Sequence, residues 1–201
     1  MSILGCALII LSGNIQANYR LGKDFGSLAR PLPVKQDGVV EVIEVFWYGC
    51  GHCFNLAPAV SSWSKKKDSS VNFRKMPVTW GPVHQLHAKL FYTIEALGIG
   101  ETGHTAVFTA IHKEGNLLSS DGAILDFLEK LGMDRSETIK YMNSFSVRQK
   151  VKRAIEISKQ FKVTATPMMF VDGQYRIEAK GGSSKMLKVV DHVIELQKPI
   201  S

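Results

Sequence analysis

Val42-Ile43-Glu44-Val45-Phe46-Trp47-Tyr48-Gly49-Cys50-Gly51-His52-Cys53 joins an apolar run to two thiols spaced two residues apart. The run belongs to a segment, 39–47, with the near-continuous hydrophobicity of a strand buried on both faces. After Cys50, the residues Leu56, Val60 and Trp63 recur at helical spacing, so 50–66 reads as a helix, with Pro58 expected to kink it. A strand therefore feeds a helix at the first thiol. Unpaired amides and the positive end of the helix dipole stabilise a thiolate there. A lone CxxC is also half of a zinc site, but the strand before it and the helix after it favour redox chemistry.

The chain of 201 residues is long enough for one domain of ordinary size, or one domain carrying an insertion. Apolar residues make up 45% and charged residues 21%, with no repeat or low-complexity tract, which is the profile of a folded globular protein. A formal charge of +7 implies a basic surface. No basic run is interleaved with aromatics, so nucleic acid is not an expected partner. Lys65-Lys66-Lys67 reads as a solvated turn matched to the negative end of a helix.

Residues 3–11 form a short apolar core, followed by Ser12-Gly13-Asn14-Ile15-Gln16-Ala17. This resembles an export signal, expected to occupy 1–17 and to be cleaved after Ala17. The core is too short to span a bilayer, which takes about 20 residues. The alternative, a lipid anchor at Cys6, has little hydrophobic sequence before it. Of the three cysteines, cleavage leaves only Cys50 and Cys53. A disulfide between them closes a loop too small to stabilise much through chain entropy, so the pair is there for chemistry.

Residues 18–37 read as mixed and loop-like, with Pro31 and Pro33 limiting any strand to an edge. The next strand is expected at 71–78. From 82 to 145 the pattern changes to consecutive amphipathic helices. Leu86, Leu90, Ile94 and Leu97 form one stripe; Val107, Phe108 and Ile111 form a second. Ser120 caps a third helix, and Asp134 with Glu137 reads as a capping box for a fourth, with Ile139 and Met142 inward. A long helix carrying Val147, Val151, Ala154, Ile155 and Phe161 leads back to two strands flanking Asp172-Gly173, a two-residue hairpin signal. A helix over 183–196 closes the chain.

Phe46-Trp47-Tyr48-Gly49-Cys50-Gly51-His52-Cys53 and Val163-Thr164-Ala165-Thr166-Pro167 together resemble the two signature segments of DsbA-like thiol:disulfide oxidoreductases. The resemblance implies an α/β architecture, the thioredoxin fold, with an inserted all-helical domain. The thioredoxin-like part is expected at 18–81 and 146–201 and the insertion at 82–145. It further implies that Cys50 is the exposed nucleophile and Cys53 the buried resolving thiol. His52, when cationic, then stabilises the Cys50 thiolate. Gly51 replaces the proline commoner in the family and gives the dipeptide typical of protein disulfide isomerases. Pro167 is expected to be a cis-proline beside the thiols, with Thr166 exposing backbone to an extended substrate and offering its hydroxyl to Cys50. Glu44 is expected beneath the resolving cysteine as a proton relay.

The activity so implied is disulfide formation in reduced exported proteins by a periplasmic monomer. No bound cofactor or metal is needed, because reoxidation falls to a DsbB-type membrane quinone reductase. An anchored form is the alternative for localisation. Three rival functions remain on the sequence. Gly51-His52 and Thr166 encourage an isomerase or reductase, although the segment before Val39 leaves no room for the dimerisation domain of dimeric isomerases. A non-catalytic chaperone would have little reason to keep two cysteines and no others. A zinc site would recruit His84 and His87, otherwise read as polar-face residues of the first inserted helix.

Overall fold

The computed structural model describes residues 19–33 and 38–198. The expected signal at 1–17, including Cys6, lies outside the described residues. Among the described residues, five strands and seven helices run in the order β1 (Gly26–Ser27), β2 (Val40–Phe46), α1 (Gly51–Ser64), β3 (Val71–Pro77), α2 (Pro82–Ala96), α3 (Gly100–His112), α4 (Asp121–Lys130), α5 (Arg135–Met142), α6 (Phe145–Gln160), β4 (Met168–Val171), β5 (Tyr175–Glu178) and α7 (Ser183–Gln197). The sheet order is β1-β5-β4-β2-β3. Only β2 and β3 are parallel, which requires the crossover through α1; β4 and β5 are antiparallel neighbours joined by a hairpin. Helices α2 to α5 are interposed between β3 and α6.

Alternation along β2 divides the core. Val40 and Val42 face one way and pack with Leu56, Val60 and Trp63 of α1 and with Val190 and Val193 of α7. Ile43 and Val45 face the other way, toward Leu90, Ile94, Val107 and Ile157 of the inserted helices and α6. Trp63 donates its indole N–H to Asp191 at 2.8 Å, which ties α1 to α7. Because strand periodicity is two, Glu44 falls on the face shared with Val42, beneath α1.

The helix boundaries follow their caps. Ser120 Oγ accepts from the Ala123 amide at 3.1 Å and Asp134 Oδ1 from the Glu137 amide at 2.7 Å, so both expected N-termini are present. Helix α1 continues through Pro58. Three details differ from the sequence reading. Ile139 is exposed and the buried partner of Met142 is Thr138, one turn before it on the same helix face. Three residues rather than two separate the last β4–β5 pair, Val171 and Tyr175, with Asp172 and Gly173 both at positive φ. Gly26–Ser27 forms a two-residue edge strand within the expected loop. No helix among the described residues is long and apolar enough to cross a membrane.

Candidate active site

Cys50 is the N-cap of α1, with extended backbone (φ −88°, ψ 112°). The Cys53 amide donates to its sulfur at 3.3 Å. Both cysteines are free thiols, Cys50 half-buried and Cys53 buried. The sequence arranges this contact through spacing alone: three residues along a helix start bring the first sulfur over the amide of the fourth residue. Just before the cap, a Cβ on Gly49 would come within 2.5 Å of the Trp47 ring, so the turn from strand to helix admits only glycine there.

The second signature segment arrives from far along the chain. The Thr166–Pro167 peptide is cis, and Cys50 as a thiol donates to the Thr166 carbonyl oxygen at 3.5 Å. As a thiolate, Cys50 is held down to about 5, first by a hydrogen bond from the Cys53 thiol. The Thr166 hydroxyl and the amides of Cys53 and His52 add to this, while partial burial opposes it. Cys53 is pushed far up, first by its bond to Cys50 and then by burial. The two thiols thus have opposite properties, one a stable anion and the other a reluctant one.

His52 is brought to the site by its backbone; its ring is exposed and makes no hydrogen bond or ring contact among the described residues. Gly51 is exposed, with open space where a side chain would lie. Glu44 is 2% exposed, and its Oε2 has no hydrogen-bond partner. Burial pushes its carboxyl up to about 7, with the Lys75 ammonium pulling the other way. No hydrogen bond among the described residues joins Glu44 to Cys53. Lys75, opposite Glu44 in the β2–β3 register, reaches Glu101 of α3 at 2.6 Å.

An aromatic and histidine layer supports the strand end. His87 is buried, not on a polar helix face: Nδ1 accepts from the Trp47 indole at 3.2 Å and Nε2 donates to the Leu117 carbonyl at 3.1 Å. Both ring nitrogens are therefore committed. His84 packs against Trp47 with centroids 4.5 Å apart and the rings tilted by 37°. The Tyr48 hydroxyl and His104 Nδ1 share a hydrogen bond at 3.1 Å, and burial pushes that imidazole down to about 3. His112 binds the Tyr48 carbonyl at 2.7 Å and lies flat on Phe54. Sequence reading missed these supports and the Lys75–Glu101 pair. Their only local signal is that His104, His112 and Glu101 share one helix with the apolar stripe of α3.

The match to a family model, described as the DSBA-like thioredoxin domain, covers residues 83–193. The thiol:disulfide interchange protein DsbA of Pseudomonas aeruginosa is 36% identical over 183 residues, covering 90% of this chain and 87% of the relative. The chain belongs to the DsbA-like thioredoxin family. The DsbA of Burkholderia cepacia is 40% identical over 180 residues, covering 88% of this chain and 85% of its own. A crystal structure of Pseudomonas aeruginosa DsbA superposes with a TM-score of 0.84 at 36% identity, covering 89% of this chain and 94% of that one. The family's reaction is dithiol–disulfide exchange, and the asymmetric cysteine pair is suited to it.

Proposed function

We propose that the protein oxidises reduced exported proteins through Cys50 and Cys53, as a periplasmic monomer reoxidised by a DsbB-type membrane quinone reductase. The observation that carries this reading is the contrast between the two sulfurs. A client thiolate attacks Cys50 of the disulfide, the Cys50–Cys53 bond breaks, and its electron pair leaves on Cys53. Cys53, strongly disfavoured as an anion, takes a proton, and Glu44 is the buried carboxyl near enough to neutral pH to deliver one through water. A second client thiolate then attacks the client sulfur of the mixed disulfide and expels Cys50, now the stable anion. The client leaves oxidised and the enzyme reduced by two electrons. A leaving group this stable makes the oxidised pair readily reducible.

In this reading Thr166 and Pro167 line the client's path beside Cys50, His52 tunes the thiolate through its backbone amide and through charge when protonated, and Gly51 leaves the motif open beside it. The thioredoxin-like unit is assigned to 18–81 and 146–201 and the helical insertion to 82–145. Equilibration with glutathione, followed by thiolate absorbance, tests the direction of the chemistry. A strongly oxidising couple is expected; a thioredoxin-like couple would select the reductase reading instead. In the same assay Thr166→Val, which removes the hydroxyl donor, is expected to raise the Cys50 pKa and shift the equilibrium about 3–10-fold toward the disulfide.

Glu44 makes a prediction of its own. A carboxyl raised from 4.5 to about 7 on folding opposes the folded state once ionised. The cost is absent below the unfolded value, grows between the two and is complete above pH 7. Glu44→Gln is therefore expected to stabilise the protein by about 3 kcal/mol at pH 8 and by little at pH 4. Urea unfolding at both pH values checks this, and the same variant should release Cys53 more slowly during exchange.

A further inference from the structure

Six cations lie between Arg148 and Lys162, along α6 and its terminal turn, against the single carboxylate of Glu156. That one segment carries a net +5 of the chain's formal +7. All six, Arg148, Lys150, Lys152, Arg153, Lys159 and Lys162, are exposed, while Val147, Ala154 and Ile157 turn the opposite face of the helix into the core. Glu156 is taken by Arg153 at 3.6 Å, and Asp121, the acid beside Arg148 and Lys152, is held by Lys89 at 3.1 Å. Among the described residues Arg148, Lys152 and Lys159 have no acidic partner. At 100° per residue they fall within about 40° of one another, a stripe roughly 17 Å long. Phe145, 69% exposed, lies at the N-terminal end of the same stripe.

We propose that this face of α6 docks on an anionic phospholipid surface. Like charges held in a row, with the neighbouring carboxylates Asp121 and Glu156 already engaged by Lys89 and Arg153, keep a high local potential that a counter-charged layer relieves. The six cations are divided among three separate grooves, Arg148 with Lys152, Lys150 with Arg153 and Lys159 with Lys162, rather than converging in one, which matches charge spread over a plane better than the carboxylates of a single peptide. Phe145 adds an apolar anchor at headgroup depth, the combination by which basic amphipathic helices bind interfaces without crossing them. None of these residues touches Cys50 or Cys53, so the docked enzyme keeps its thiols free.

The test is sedimentation of the purified protein with phosphatidylcholine vesicles, with and without phosphatidylglycerol. Binding is expected only with the anionic lipid, weakening as salt rises. Arg148→Glu/Lys152→Glu/Lys159→Glu is expected to lower partitioning at least ~10-fold. Lys23→Glu/Lys66→Glu/Lys188→Glu, with the same net charge, is expected to retain most of it. Phe145→Ala should lose the fraction that survives high salt. Melting temperature and thiol exchange with a soluble reduced peptide should be unchanged in the α6 triple variant, which separates docking from folding and from the thiol chemistry. Absent lipid dependence, equal loss in both triple variants, or equally tight binding to soluble polyglutamate would each overturn the proposal.

Discussion

Cys53→Ser is expected to convert the enzyme into a trap, leaving client proteins covalently joined at Cys50. In the variant the Cys50 thiolate still forms and still attacks a client disulfide, because the Thr166 hydroxyl and the amides of Cys53 and His52 remain as donors. The mixed disulfide has lost the neighbouring sulfur that would displace the client from within the protein. That displacement is intramolecular in the parent protein, with the two sulfurs on one helical turn, so where the client has no second thiol within reach its loss should prolong the adduct by about 10³-fold or more. Part of the thiolate stabilisation also disappears, since the hydrogen bond from the Cys53 thiol is its largest contributor. Serine at 53 offers a hydroxyl in its place, so the attack is slowed far less than the release. Non-reducing electrophoresis followed by mass spectrometry should find adducts in Cys53→Ser and none in Cys50→Ser. Adducts formed in the second variant, or none in the first, would remove Cys50 from the role of nucleophile.

What the sequence made legible was local. The strand ending at Phe46, the helix opening at Cys50, and the caps at Ser120 and Asp134 each depend on residues within about four positions of one another, where side chain and backbone chemistry leave few choices. The Thr166 contact with Cys50 spans 116 positions and entered only through the likeness of two motifs to a family. Glu44 was conspicuous as a carboxyl in an apolar strand, but its cross-strand neighbour Lys75 and the Glu101 that holds it belong to elements whose register no periodicity encodes. The same is true of His87 under Trp47 and His112 on Phe54. A histidine on a helix that packs elsewhere reads as polar surface until the packing partner is known, and His87 is such a residue. The two-residue β1 was illegible for a different reason: it is too short to show alternation, and its pairing with Tyr175 and Arg176 is set by the sheet. Hydrophobicity alone points Ile139 inward, but Thr138 takes that position because the helix phase is set by Met142.

Between pH 4 and pH 8 the reduced protein is expected to gain about 3 kcal/mol of stability relative to its oxidised form. Cys50 falls from an ordinary 9.0 to about 5 on folding, so the folded thiolate is favoured over the unfolded thiol. This contribution is complete above the ordinary thiol value, diminishes as pH falls toward 5, and vanishes below it. Three pH units correspond to about 4 kcal/mol at full strength, reduced to about 3 because the half-exposed sulfur is partly screened by solvent. Oxidation removes the titrating thiol and adds only the constraint of a very small loop, whose effect does not depend on pH. Taking the difference between the two forms cancels the other groups that titrate alike in both, Glu44 among them. In thermal melts the gap should open by roughly 6–12 °C across the range, with the reduced form gaining. The same free energy closes a cycle with the redox equilibrium: whatever stabilises the reduced fold makes the oxidised pair easier to reduce, at about 30 mV for each 1.4 kcal/mol. The pH dependence of the melting gap and that of the glutathione equilibrium must therefore agree. A gap that stays flat from pH 4 to pH 8 would mean that folding does not favour the Cys50 anion, and the driving force assigned to this site would have to come from elsewhere.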